Sequence, residues 1–364
     1  MFKIPLYKPS LGYKERQYLI EAYDSSWISS KGKFISLFEE RFAQYLNIKH
    51  ATSVCNGTAA LHLSLLALGI GPGDEVIVPT FTYVASVNAI AYTGATPVFV
   101  DSLSDTLQMD PEDVRKKISS RTRAIIIVHI YGHPCDMNTL CRIAIDNDLF
   151  IIEDSSEAIG STYDSKYCGT FGDIATFSFF GNKTITTGEG GMVVSNDEPL
   201  MNRIFRLKGQ GLVAGREYWH DIVGYNYRMT NLCAAIGLAQ LERIEEILEK
   251  KQRIAMWYKE GFHGLRNIRF HDQIGKVSHS YWMCSIILEN VNKRDLLRKS
   301  LLNAGIETRP FFHPVHTMPM YEYGTSSFPV AETLSLCGIN LPSYPDLTNE
   351  DVVFVVSETL KAIY

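Results

Sequence analysis

Ala51-Thr52-Ser53-Val54-Cys55-Asn56-Gly57-Thr58-Ala59-Ala60-Leu61-His62-Leu63-Ser64-Leu65-Leu66-Ala67-Leu68 reads as a strand over 51–54, a small polar turn at 56–58 and a helix over 59–68. The unit then recurs. Residues 75–78, 96–101, 124–129 and 149–152 are strand-like, while 82–92 and 137–145 carry helical spacing, and Asp110-Pro111 has the cap and first-turn chemistry of a further helix start. Strands alternating with helices over this length imply an α/β fold with a large, mostly parallel sheet covered on both faces. Ligands of such sheets gather beyond the carboxyl ends of the strands. The turn at Asn56-Gly57-Thr58 lies at such an end, where unpaired backbone N–H groups and the helix dipole suit an anion. Simple N-capping by Asn56 accounts for the same residues, and the two readings are compatible.

Upstream, 14–24 reads as a short helix, and Phe34, Ile35, Leu37, Phe38, Phe42 and Leu46 recur at helical spacing to form a second. The connector Trp27-Ile28-Ser29-Ser30-Lys31-Gly32 is a plain loop or a ligand-touching one. Downstream come a strand over 192–195, a helix over 198–207 and a glycine-rich stretch over 208–220 expected to be a long functional loop. Residues 225–231 lead into a long helical run to about residue 258, whose charged segment over 242–251 reads as a solvated face of a connecting helix. We expect a large domain over 1–240 and a smaller C-terminal α/β domain over 241–364. The latter should contain strands at 281–288 and 307–311, a helix at 294–303 and a closing helix from Asn349.

The 364 residues are 46% hydrophobic and 21% charged, which predicts a sizeable buried core. A net charge of −5 with no basic stripe argues against nucleic acid or an anionic membrane as partner. The seven cysteines, Cys55, Cys135, Cys141, Cys168, Cys233, Cys284 and Cys337, are odd in number, scattered and without a C-x-x-C pair, so neither a disulfide framework nor a zinc site is expected. With no signal peptide and no apolar run of membrane-span length, the expected compartment is the cytoplasm.

The chemistry centres on Phe177-Ser178-Phe179-Phe180-Gly181-Asn182-Lys183-Thr184-Ile185-Thr186-Thr187-Gly188-Glu189-Gly190-Gly191, which sets one lysine between aromatics and small, hydroxylated, flexible residues. A desolvated pocket suits an amine that must form a Schiff base. A turn between two strands with a lysine at its tip is the plainer reading. Glu153-Asp154 ends a buried strand, where an acid needs compensation, so Asp154 is expected to meet a positive group. His129 and His133 straddle a strand end and a turn, which suits core histidines better than a metal pair. Together, Lys183, Asp154 and Gly57-Thr58 supply what pyridoxal phosphate (PLP) requires: an amine for its carbonyl, a carboxylate for its ring nitrogen and a helix-end turn for its phosphate.

Ser53-Val54-Cys55-Asn56-Gly57-Thr58, Pro79-Thr80-Phe81-Thr82-Tyr83, Glu153-Asp154-Ser155-Ser156-Glu157-Ala158, the lysine stretch and Gly224-Tyr225-Asn226-Tyr227-Arg228-Met229-Thr230-Asn231 occur in an order that resembles the DegT/DnrJ/EryC1/StrS family of nucleotide-sugar aminotransferases. The resemblance spans essentially the whole chain. It implies the PLP-dependent fold type I (aspartate aminotransferase-like), active as a homodimer or larger assembly with shared sites. By matching motif, Lys183 is the Schiff-base lysine, Asp154 the partner of the ring nitrogen, Tyr83 the aromatic stacked on the cofactor and Glu157 the side chain beside its ring. Gly57, Thr58 and Ser178 match phosphate-binding positions, and Asn226 matches an asparagine reaching a phosphate in the neighbouring subunit. Cys55 stands where many relatives carry serine.

Segments 129–136, 208–211, 218–221 and 309–321 resemble most the members that move an amino group from L-glutamate to C4 of GDP-4-dehydro-6-deoxy-D-mannose for bacterial surface polysaccharide. For the sugar nucleotide we nominate Ser29, Lys31, Tyr83, Arg309 and His313; Arg309 offers a planar fork and Lys31 a point charge. Each of Ser29, Lys31, Arg309 and His313 reads equally well as an ordinary loop or surface residue. A dTDP- or UDP-linked keto sugar is the alternative substrate. The related sugar dehydratases carry histidine where Lys183 stands, and a non-catalytic relative would not need lysine, aspartate and phosphate turn together.

Overall fold

The computed structural model describes residues 2–322 and 327–363. The first half builds strands β1 (His50–Val54), β2 (Glu75–Pro79), β3 (Thr96–Val100), β4 (Thr122–Val128), β5 (Phe150–Asp154), β6 (Thr162–Tyr163), β7 (Lys166–Tyr167), β8 (Ile174–Ser178) and β9 (Gly191–Ser195). Helices α1 (Tyr13–Asp24), α2 (Lys33–Leu46), α3 (Gly57–Ala67), α4 (Ala85–Thr93), α5 (Pro111–Lys117), α6 (Met137–Asp146), α7 (Glu198–Lys208) and α8 (Asn231–Leu241) are interleaved with or flank these strands. Seven strands form one sheet in the order β1-β9-β8-β5-β4-β2-β3. Neighbours from β8 to β3 are parallel, whereas β9 is antiparallel to both β8 and β1. Only β9 therefore runs against the rest, and the carboxyl ends of the other six open on one edge.

Continuous apolar runs explain the buried strands: Val76, Ile77 and Val78 in β2 and Ile125, Ile126 and Ile127 in β4 are wholly buried, as a sheet covered on both faces requires. On α2, Phe34, Phe38, Phe42 and Leu46 form one buried stripe. Phe38 and Phe42 meet Phe179 at centroid distances of 5.2 and 5.6 Å, and Phe42 meets Phe177 at 5.0 Å. Burying each such ring contributes about 1.5–3 kcal/mol. That cluster fixes the last strand before the lysine stretch.

The C-terminal elements are α9 (Ile244–Gly261), β10 (Ile268–Phe270), β11 (Val277–Ser278), β12 (Cys284–Leu288), α10 (Arg294–Asn303), β13 (Arg309–Pro310), α11 (Pro329–Cys337), β14 (Gly338–Leu341) and α12 (Asn349–Ile363). A four-stranded antiparallel sheet runs β10-β12-β14-β13, and β11-β6-β7 form a small third one. Ile4 bridges Ile306 and packs in the core beneath the four-stranded sheet, so the chain's beginning lies with its end. Among the described residues no helix is long and apolar enough to cross a membrane.

Three expectations need correction. The helical run to residue 258 is two helices, broken at Glu242 and Arg243, because the Arg243 side chain turns to the Ser10 carbonyl and to Glu15. Its charged segment is not wholly solvated. Lys251 is fully buried, donating to the carbonyls of Trp282 (2.9 Å) and Ser343, and burial pushes its pKa down to about 8. The strand expected from residue 281 begins at Cys284, because Tyr281 is left-handed at φ 48° and cannot extend a ladder.

Candidate active site

The lysine stretch is a loop between the antiparallel strands β8 and β9, and its hydroxyls brace it from within. Thr186 Oγ1 donates to the Phe179 carbonyl (3.0 Å) and accepts from Gly188 N (2.9 Å), while Thr187 Oγ1 donates to Glu189 O (2.7 Å). Gly188, at φ 81°, takes the left-handed turn that closes the loop. Lys183 N donates to Phe180 O at 2.9 Å, and the Tyr7 hydroxyl donates to Lys183 O at 2.5 Å. Both sides of the lysine backbone are thus fixed, leaving the amine as the movable part.

That amine enters a cavity of about 350 Å³ at the carboxyl edge of the main sheet. Gly57 and Thr58 line it after β1, Tyr83 after β2, Val128 at the end of β4, Asp154 at the end of β5 and Ser178 at the end of β8. Lys183 Nζ lies 3.7 Å from Glu157 Oε1 and 4.1 Å from the centroid of the Trp282 ring. Glu157 is 5% exposed, and its Oε2 accepts from Tyr131 N at 2.7 Å. Burial, opposed by the Lys183 ammonium and the Tyr131 amide, pushes the Glu157 carboxyl up to about 7.

Asp154 departs from expectation. Among the described ion pairs none involves it; Ser86 Oγ donates to Oδ2 (2.7 Å) and Ser156 N to Oδ1 (3.2 Å). A buried carboxylate held only by neutral donors faces the cavity and still needs a positive or N–H partner there. At the turn, Asn56 Oδ1 caps α3 by accepting from Ala59 N (2.8 Å). A Cβ on Gly57 would lie 2.8 Å from Ser178 Cβ, so only glycine lets the helix start close against β8. These features fit PLP: an amine, a carboxylate short of a partner, and a cradle that a side chain would fill.

The structure brings Gly57, Thr58, Tyr83, Asp154, Glu157, Ser178 and Lys183 together at this cavity. It does not bring Asn226, Ser29, Lys31, Arg309 or His313 to the same lining; all five are exposed. Arg309 pairs with Glu307 at 2.9 Å, and Asn226 Oδ1 accepts from Arg228 at 3.4 Å. The connector carrying Ser29 and Lys31 is tied down by Asn231, which donates to the carbonyls of Ser29 and Trp27 and accepts from Phe34 N. His129 bonds Glu153 (3.2 Å), and His133 packs against His271 and His279 with centroids 5.5 Å away. Among the described residues no group of three or more metal-ligating side chains could hold an ion.

Sequence reasoning missed Ser86, Asn182, Trp282 and Phe312, all of which line the cavity. Ser86 lies in the first turn of α4, which begins at Ala85, leaving Thr82 and Tyr83 free to line the site. Trp282 and Phe312 come from the C-terminal elements; Trp282 lies in no segment singled out above for its chemistry, and Phe312 lies within 309–321, where Arg309 and His313 drew the attention instead.

The comparisons agree with this geometry. A GDP-perosamine synthase of Escherichia coli O157:H7 is 56% identical over 99% of this chain and 98% of its own. One from Vibrio cholerae is 54% identical over 96% of each. The solved PLP-form of a putative sugar aminotransferase, Spr1654 from Streptococcus pneumoniae, superposes with a TM-score of 0.94 at 29% identity, covering 99% of this chain and 100% of that one. With the family model for DegT/DnrJ/EryC1/StrS aminotransferases matching residues 9–360, this chain belongs to that aminotransferase family.

Proposed function

We propose that the chain uses PLP to transfer an amino group from L-glutamate to C4 of GDP-4-dehydro-6-deoxy-D-mannose, giving GDP-perosamine for O-antigen synthesis. The observation that carries the chemistry is the convergence of Lys183, Asp154 and the α3 N-terminus on one cavity. The sugar follows from the GDP-perosamine synthases that are 56% and 54% identical over nearly the whole chain.

PLP supplies the carbonyl that takes up the amino group and a ring that accepts the electron pair left when a proton departs. The chain supplies the rest. The α3 amides at Gly57 and Thr58, with Ser178, bind the phosphate through unpaired donors and the helix dipole. Asp154, aimed by Ser86, would hold a ring nitrogen in its protonated form, and Tyr83, which lines the same cavity, would shield the ring from water. Lys183 would hold the cofactor through its amine and, once that amine is free, would serve as the acid and base that moves the proton, a role worth about 10²–10⁴ in rate. Glu157, beside it, is placed to keep the proton inside the cavity.

The same reading makes the enzyme a cytoplasmic homodimer or larger assembly. Asn226, Ser29, Lys31, Arg309 and His313 lie exposed outside their own chain's cavity lining, which suits residues that a second copy or a closing segment brings to the sugar nucleotide. Exposed Trp27, Tyr218 and Trp219 are further candidates for that contact.

The test is a glutamate-dependent assay with GDP-4-dehydro-6-deoxy-D-mannose beside its dTDP-linked counterpart, the product read by mass and NMR. Amination at C4 of the GDP sugar supports the assignment, and preference for the dTDP sugar discards it. Lys183→Ala should abolish turnover; steady-state amino transfer by that variant would remove Lys183 from its role.

A further inference from the structure

Trp282 is 4% exposed and gripped at several points. Its indole N–H donates to the Asn182 carbonyl at 2.7 Å, one residue from Lys183. Its own carbonyl accepts from the buried Lys251 Nζ at 2.9 Å. The ring stacks on Tyr131, centroids 6.2 Å apart and planes at 24°. A Cβ on Gly132 would come within 3.0 Å of Trp282 N, so the main chain there is closely packed as well. Over this fixed ring stands the Lys183 ammonium, 4.1 Å from the centroid.

We propose that Trp282 is a positioning residue for Lys183: its indole face holds the lysine ammonium whenever that amine is not bonded to the cofactor, and Lys251 anchors the main chain that carries the ring. An ammonium on a flexible four-carbon stem has many rotamers open to it, and a tryptophan face is the aromatic surface that attracts a cation most strongly. Glu157, the other neighbour, has a carboxyl that burial pushes to about 7, so its charge varies across the neutral range. The ring does not titrate. It keeps the displaced amine in the cavity on both sides of neutrality.

This inference rests on the reading of Lys183 as the cofactor's lysine, and the experiment separates the two. In the full-length, cofactor-free chain, the rate at which acetic anhydride acylates Lys183 is followed by peptide mass spectrometry with tryptophan, monofluoro-, difluoro- and trifluorotryptophan at position 282. Fluorine drains the ring face with little change of shape, so a purely structural role leaves the rate flat. Holding of the cation predicts a stepwise rise, intermediate acylation in Trp282→Phe, and about a 2- to 30-fold rise in Trp282→Leu. Exposed Lys14 should react at one rate throughout. In parallel, borohydride reduction of the PLP-loaded variants should fix the cofactor on Lys183. Cofactor fixed on a different lysine overturns the underlying reading, whereas a flat fluorine series with cofactor on Lys183 overturns only the role of Trp282.

Discussion

Replacing Glu157 with glutamine tests the electrostatics of the cavity through stability alone. Glu157 is 5% exposed and its carboxyl is pushed from an ordinary 4.5 to about 7, chiefly by burial. Each pH unit of such displacement is worth about 1.4 kcal/mol, so ionised Glu157 costs the cofactor-free fold about 3 kcal/mol. The sign follows from proton counting. Between 4.5 and about 7 the folded chain binds more protons than the unfolded one, so this group's contribution falls as pH rises and levels off above that window. His133 and His271 act oppositely. Burial lowers them to about 4 and about 3 from 6.5, so the stability they contribute is present above 6.5 and lost as pH falls. They are common to both proteins and cancel in the difference. Glutamine keeps an acceptor for Tyr131 N–H and has no carboxyl proton to lose. Urea unfolding of cofactor-free wild type and Glu157→Gln should therefore show wild type losing about 3 kcal/mol relative to the variant between about pH 4 and about pH 8. Parallel profiles would refute the reasoning, because they would mean that Glu157 titrates alike in both states.

Gly57→Ala places a Cβ 2.8 Å from Ser178 Cβ at the start of α3. It should raise the PLP dissociation constant by about 10-fold or more, read by equilibrium dialysis. Ser86→Ala removes the 2.7 Å donor that aims Asp154. We expect about a 10-fold fall in kcat and a loss of about 1–3 kcal/mol in urea unfolding, because the buried carboxylate loses one of its donors. Lys251→Met leaves the buried carbonyls of Trp282 and Ser343 without their donor. It should cost about 2–5 kcal/mol of stability, measured by urea unfolding at fixed protein concentration.

What the sequence makes legible here is local. The strand, turn and helix over 51–68 show themselves because both faces are covered and the apolar runs are continuous, and Asn56 caps the helix with an atom three residues from its target. The antiparallel course of β9 is not legible, since a strand's direction depends on its neighbours and not on its own pattern. Nor is the break at Glu242 and Arg243. Helical periodicity runs through it, and the partners that draw Arg243 inward, Ser10 and Glu15, lie more than two hundred residues away in sequence. Lys251 looked solvated for the same reason: the carbonyls that bury it belong to Trp282 and Ser343.

The cavity divides along the same line, and the division has a chemical meaning. Groups expected to bind the cofactor sit where backbone geometry itself contributes: Gly57 at a helix start, Asp154 at a strand end, Lys183 on a loop closed by Gly188. Such positions need particular residue types in a particular order, so they leave motifs. Groups that decide where a proton or an ammonium rests are set instead by tertiary contact. Tyr131 N–H fixes Glu157 across 26 residues, and Trp282 reaches Lys183 from 99 positions along the chain. Glu157 itself lies in the 153–158 stretch, but the Tyr131 N–H that fixes its charge and the indole face of Trp282 over Lys183 are contacts across the chain, which no short pattern announces. Substitution of Lys183 should therefore abolish turnover, and substitution of Gly57 should weaken cofactor binding. Substitutions at Glu157 and Trp282 should instead shift pH dependence and amine reactivity while the cofactor stays bound.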